Sequence, residues 1–184
     1  MRLTLLCHAS TATTRRGGFP CPGEGLDAPG VRAAAALRPP RTGALRVSPA
    51  RAPMETAARF GEARVDPALR DMDHGDWTGR LFADLDPAAL GAWLQTPAAG
   101  APGGESLDTV VARMAAWLGT VRDHGQDVLA VTHPMVVRAA LAAALDLPAA
   151  ATLRIDIAPL SAATLSFNGL WRLQALTPAG ASAD

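Results

Sequence analysis

Two histidines stand where a folded sheet would deliver reactive side chains. The apolar runs at 3–7 (Leu-Thr-Leu-Leu-Cys) and 128–131 (Val-Leu-Ala-Val) are followed by His8 and by Thr132-His133. Runs of that length and polarity read as buried strands, and open α/β sheets hold ligands at the carboxyl edge, where such strands end. His133 also opens a helix with Pro134 near its first turn. A helix N-terminus offers unpaired N–H groups and a positive dipole end, which suits phosphate. Pro134 has no N–H to give, so Met135 and Val136 would be the donors.

Two competing chemistries are weaker. The four histidines (8, 74, 124 and 133) lie far apart and form no HxH or HExxH unit, and there is no CxxC, so no metal or other cofactor is expected. A cysteine nucleophile in a Cys-x5-Arg phosphate loop would need arginine at 13 after Cys7, or at 27 after Cys21. The chain has Thr13 and Asp27.

The elements that must position these residues alternate. Strands are expected at 3–7, 45–47, 63–65, 128–131, 153–157, 162–167 and 171–176. Helices are expected at 31–37 (stopped by Pro39-Pro40), 55–60, 87–94, 105–124 and 135–145. Helix 105–124 carries Leu107, Val110, Val111, Met114 and Leu118 on one face. Residues 12–30 hold eight glycines and prolines and read as a long loop of the functional kind. Residues 71–79 are polar and irregular, 97–104 form a second loop, and 177–184 a frayed tail. Alternation of this kind argues an α/β layered fold, with one domain over 1–176.

Charge sharpens the expectation. The chain has 184 residues and a formal net charge of zero, which gives no footprint for nucleic acid or a membrane surface. Yet residues 1–51 carry eight arginines against Glu24 and Asp27, a balance of +6 offset by −6 in the remainder. The first quarter therefore favours an anion. Every cation is arginine, the skew of a GC-rich, bacterial coding sequence. No uncharged apolar stretch reaches 18 residues and no secretory leader is evident, so a cytoplasmic protein is expected.

Five segments together resemble the histidine phosphatase superfamily, also called phosphoglycerate mutase-like. They are Leu5-Leu6-Cys7-His8-Ala9-Ser10-Thr11, residues 48–57, the stretch from Leu69-Arg70-Asp71 through His74-Gly75 to Trp77-Thr78-Gly79, Pro102-Gly103-Gly104-Glu105-Ser106, and Val131-Thr132-His133. They fall in the family's order and at its usual spacing. The resemblance implies a three-layer α/β/α sandwich with a mostly parallel central sheet and a small phosphorylated substrate. It further implies that His8 is the nucleophile, His133 the histidine that hydrogen-bonds the transferring phosphoryl group, and Asp71 the acid that moves the proton. The stretch at 69–77 particularly resembles ribazole-phosphate phosphatases. Glu105 would lie near the pocket and could hydrogen-bond a group of the site.

The departures are specific. The family's first motif is Arg-His-Gly, whereas this chain has Cys7-His8-Ala9, a neutral thiol at a phosphate-binding position. Its second motif places arginine where Ala52 stands, with Arg51 one place early; a small shift of register would aim Arg51 at the phosphate. Thr14 occupies the place of a substrate-contacting asparagine, and Arg15 and Arg16 follow as substitute cations. Three readings follow. The first is a phosphomonoester hydrolase with weakened activity. The others are a non-catalytic phospholigand-binding or regulatory protein, and a mutase-type phosphoryl transferase.

Overall fold

The computed structural model describes residues 1–37, 43–96 and 99–178. Six strands form one sheet: β1 (Arg2–Cys7), β2 (Ala44–Val47), β3 (Arg64–Val65), β4 (Val128–Thr132), β5 (Ala162–Phe167) and β6 (Trp171–Thr177). Their spatial order is β3-β2-β4-β1-β5-β6. The pairs β3–β2, β2–β4 and β4–β1 are parallel, while β5 runs antiparallel to both its neighbours. The helices are α1 (Ala12–Arg16), α2 (Ala28–Ala36), α3 (Arg51–Ala57), α4 (Pro87–Gln95), α5 (Leu107–His124) and α6 (Pro134–Leu145). The result is the expected mostly parallel sheet with helices on both faces, the three-layer α/β/α arrangement.

Alternation along the strands divides the core. Leu3, Leu5 and Cys7 of β1, with Val128 and Ala130 of β4, face the larger apolar cluster built with α5 and α6. Leu6, Leu129 and Val131 face the opposite way, onto Val47 and Ala57. Both central strands are therefore sealed on two sides, which is why their sequences read as unbroken apolar runs. The pairing of β1 with β4 aligns Cys7 with Thr132, so the next residues, His8 and His133, leave the sheet side by side.

Three expectations need correction. The expected 12–30 loop is helical at both ends: residues 28–30 open α2 behind the Asp27 cap, and residues 12–16 form α1, where the Thr11 hydroxyl accepts from the Thr14 N–H and the Thr14 hydroxyl from that of Thr11 in a reciprocal capping box. Helix α3 begins four residues earlier than expected, with Pro53 in its first turn, where a missing N–H costs nothing. No strand forms at 153–157. Ala149–Arg154 is a 3-10 helix, whose Leu153 lies with Ile155 and Ile157 against the larger core cluster instead of joining the sheet. The Pro39-Pro40 stop, residues 97–98 of the second loop and residues 179–184 of the tail lie outside the described residues; Thr177 itself still belongs to β6. Among the described residues no helix is long and apolar enough to cross a membrane.

Leu5 is fully buried at the centre of the sheet. Leu5→Ala should lower the unfolding free energy by about 2–5 kcal/mol, read as a shifted urea midpoint.

Candidate active site

The carboxyl ends of β1 and β4 open into a pocket of about 510 Å³. His8 and His133 stand at its base, 2% and 3% exposed, their rings edge-to-face with centroids 5.0 Å apart. The His8 backbone N–H donates to Thr132 (2.9 Å), and the loop beyond is fixed by Ala9 N–H on the Thr56 hydroxyl (3.1 Å), which itself donates to Ala52. Thr56 thus acts as the peg that holds the loop after His8 against α3.

The His8 ring is locked. Its Nδ1 lies 2.7 Å from the Ala9 carbonyl oxygen. A carbonyl only accepts, so Nδ1 carries the hydrogen and Nε2 keeps its lone pair. Nε2 is shielded from solvent and has no hydrogen-bond partner among the described residues. Burial, with His133 beside it, pushes the His8 imidazole down to about 4. The ring is therefore neutral at physiological pH, with one nitrogen free to react.

His133 is held from both sides. Its Nε2 is 2.8 Å from the Ser48 hydroxyl, and its Nδ1 is 3.2 Å from Asp71 Oδ2, a close approach whose angle falls short of a hydrogen bond. The other Asp71 oxygen accepts the Met72 N–H at 2.9 Å. Burial alone would raise the Asp71 pKa, but His133, helped by His74 and His8, outweighs it and holds the carboxyl below its ordinary range. Asp71 is ionised in the resting site, so it begins as a proton acceptor. The loop carrying it is pinned through Gly104, whose absent Cβ leaves room for the Asp73 carbonyl, and through Gly75 at φ 51° against Pro102.

The pocket holds an unexpected balance of charge. Among the described residues its lining includes four acids (Glu24, Asp71, Asp73 and Glu105) and one guanidinium, Arg70. Glu105 takes Arg70 in a two-pronged pair, 2.7 and 2.5 Å, accepts the Asp73 N–H, and also reaches Arg113 at 3.4 Å. His74 closes one wall, 4% exposed, its ring 4.2 Å from that of Phe19 and its Nδ1 without a partner. No cluster of metal-ligand geometry occurs among the described residues.

A sequence model of the histidine phosphatase superfamily (branch 1) matches residues 3–176. The chain belongs to that superfamily.

The bifunctional protein Rv2228c of Mycobacterium tuberculosis is 33% identical over 91% of this chain, which spans about half (51%) of that relative's length. The structure is also similar to mycobacterial glucosyl-3-phosphoglycerate phosphatase Rv2419c solved with VO3, at 27% identity, a TM-score of 0.83, and 94% and 96% of the two chains covered. The α-ribazole phosphatase of Shigella flexneri superposes over the whole of both chains with a TM-score of 0.86; at 21% identity that likeness speaks to fold alone.

The cations expected at the site go elsewhere. Cys7 does not line the pocket: the alternation of β1 turns its thiol into the larger core cluster, where burial raises its pKa to about 12. Arg51 pairs with Glu55 (2.7 Å) on the exposed face of α3, so the register shift that would aim it inward does not occur, and Ala52 lines the pocket instead. Arg15 is clamped by Asp27 (2.6 Å) and Ser10 (2.8 Å), Arg16 is exposed at the end of α1, and Thr14 is spent in the capping box. None of these five reaches the pocket lining. His8, Asp71 and His133 do come together. Arg70, His74 and Glu24 were missed as pocket residues; the first two lie within one and three positions of Asp71, which was the available signal, and Glu24 had none.

His8 also sets a pH signature. Its folded value of about 4 lies below the 6.5 of an unfolded histidine, so its contribution to stability is complete above pH 6.5 and is lost as pH falls toward 4. That loss amounts to at most about 3 kcal/mol, and His74, also pushed down by burial, adds to it with the same sign. Urea midpoints measured from pH 7 to 4 should fall for the natural chain, and less steeply for His8→Gln.

Proposed function

We propose that this protein is a phosphomonoester hydrolase acting through a phosphohistidine on His8. The observation that carries the reading is the His8 ring itself: neutral, tied at Nδ1 to the Ala9 carbonyl, with Nε2 bare at the base of the pocket. In the first step the Nε2 lone pair forms a bond to phosphorus, the phosphorus–oxygen bond to the alcohol breaks, and the alkoxide takes a proton. In the second, water attacks the same phosphorus, the phosphorus–nitrogen bond breaks, and inorganic phosphate leaves with the imidazole restored. Neutral imidazole is both a good nucleophile at pH 7 and a good leaving group.

Asp71 is the proton carrier of this scheme. It is ionised at rest, and a phosphoryl dianion entering beside it raises its affinity for a proton, so the acid form arises with substrate binding. In the second step the ionised carboxylate accepts the proton of the attacking water. His133, between Ser48 and Asp71, faces the nucleophile and orients this pair. The N-terminus of α6 adds the fixed dipole that anion binding needs where arginines are missing. The 27%-identical relative named as a glucosyl-3-phosphoglycerate phosphatase supports hydrolysis as the reaction class and a small phosphorylated metabolite as substrate.

The acid-rich lining favours one other reading, a binding protein that holds a phospholigand without turnover. Phosphate release from p-nitrophenyl phosphate separates the two. The natural chain should turn it over slowly and His8→Ala not at all; equal rates in both would overturn the phosphohistidine. Ala52→Arg should restore a charged phosphate contact and raise kcat/KM by about ten- to 150-fold, the worth of one such hydrogen bond at about 1.5–3 kcal/mol.

A further inference from the structure

A phosphate pocket is expected to be positive, and this one is not. Arg70 is matched by Glu105 and Asp71 by its approach to His133, which leaves Glu24 and Asp73 on the lining with no ion pair among the described residues. Glu24 is held in place by the Thr13 N–H on Oε1 (2.8 Å), while Oε2 is buried and has no hydrogen-bond partner among the described residues. A carboxylate oxygen in that condition is costly unless something binds it. It lines the same pocket as His8, so its charge also repels a phosphoryl dianion at Nε2. The buried His74 ring supplies a second unpartnered acceptor on the same lining, since a neutral imidazole always keeps one lone pair.

These groups share a complement. We propose that the substrate is the phosphomonoester of an amino alcohol, whose ammonium group is bound by Glu24 with Asp73 and His74 while its phosphoryl group meets His8. A cation carried by the substrate then does what the family's arginines do elsewhere, offsetting the charge of the phosphate from within the ligand. The buried apolar walls of Ala50 and Met72 lower the local polarity and strengthen that attraction. The proposal rests on the hydrolase reading above, and its test keeps the two apart.

The test compares 2-aminoethyl phosphate with ethyl phosphate, which differ by the ammonium alone, in the natural chain and in Glu24→Gln and Asp73→Asn. Glu24→Gln retains an acceptor for the Thr13 N–H. The natural chain should prefer 2-aminoethyl phosphate by about tenfold or more in kcat/KM, the scale of one charged hydrogen bond. Glu24→Gln should lower the rate on 2-aminoethyl phosphate and raise it on ethyl phosphate, because the same charge attracts one and repels the other. A purely structural role for Glu24 would lower both. Equal rates on the two esters, or a preference that survives both variants, would overturn the proposal while leaving the hydrolase standing. If neither ester is turned over, p-nitrophenyl phosphate turnover decides the hydrolase reading, and calorimetric titration of the same two esters decides the cation site. Tighter binding of 2-aminoethyl phosphate that is lost in Glu24→Gln supports it, and equal binding refutes it.

Discussion

The parallel pairing of β1 with β4 is the constraint on which the site depends. Because Cys7 lies opposite Thr132, the residues that follow leave the sheet at the same height, and two imidazoles meet at its carboxyl edge with centroids 5.0 Å apart. Burial by helices on both faces makes the pairing rigid and also removes His8 from water. A single arrangement thus positions the ring, keeps it neutral and leaves one nitrogen bare. The Ala9 carbonyl supplies the last element by choosing the tautomer.

Electrostatics gives the pocket its individual character. The +6 balance of residues 1–51 suggested cations gathered for phosphate, but none of the described arginines of that segment lines the pocket. Arg15 binds Asp27 at the N-terminus of α2, and Arg51 binds Glu55 along α3. Both are exposed, low-value pairs in energy, yet they fix where the guanidinium groups point. What faces the two histidines is instead an arc of carboxylates with one guanidinium already engaged. The superfamily's fold is retained while the charge around the two histidines is inverted, and the proposed cationic substrate would reconcile the two.

How much of this could be read from the chain follows from the range of the interactions. The β1 and β4 strands, α5, α6 and the two histidines were legible because apolar periodicity is local and the strand ends are abrupt. Asp71 was legible through the Leu69–Gly79 pattern, whose glycines mark close backbone approaches such as Gly75 on Pro102. The destination of each arginine was not, since it depends on which carboxylate the tertiary fold brings near. Glu24 was illegible for the same reason: its loop has no periodicity, and its place in the pocket is set by the path of the chain between α1 and α2. Helix α1 was hidden by its Gly- and Pro-rich surroundings, although the Thr11–Thr14 capping box was present in the sequence. The strand expected at 153–157 failed because its apolar residues pack on a core already closed by α6.

The central claim is that His8 carries the phosphoryl group between alcohol and water. Mass spectrometry of the protein acid-labile-safe quenched, at alkaline pH, during turnover of an aryl phosphate tests it directly. One phosphoryl group is expected on the peptide containing His8, absent from His8→Ala and lost on acid treatment. Continued turnover with no phosphoryl group on that peptide, or with the group on another residue, would contradict it.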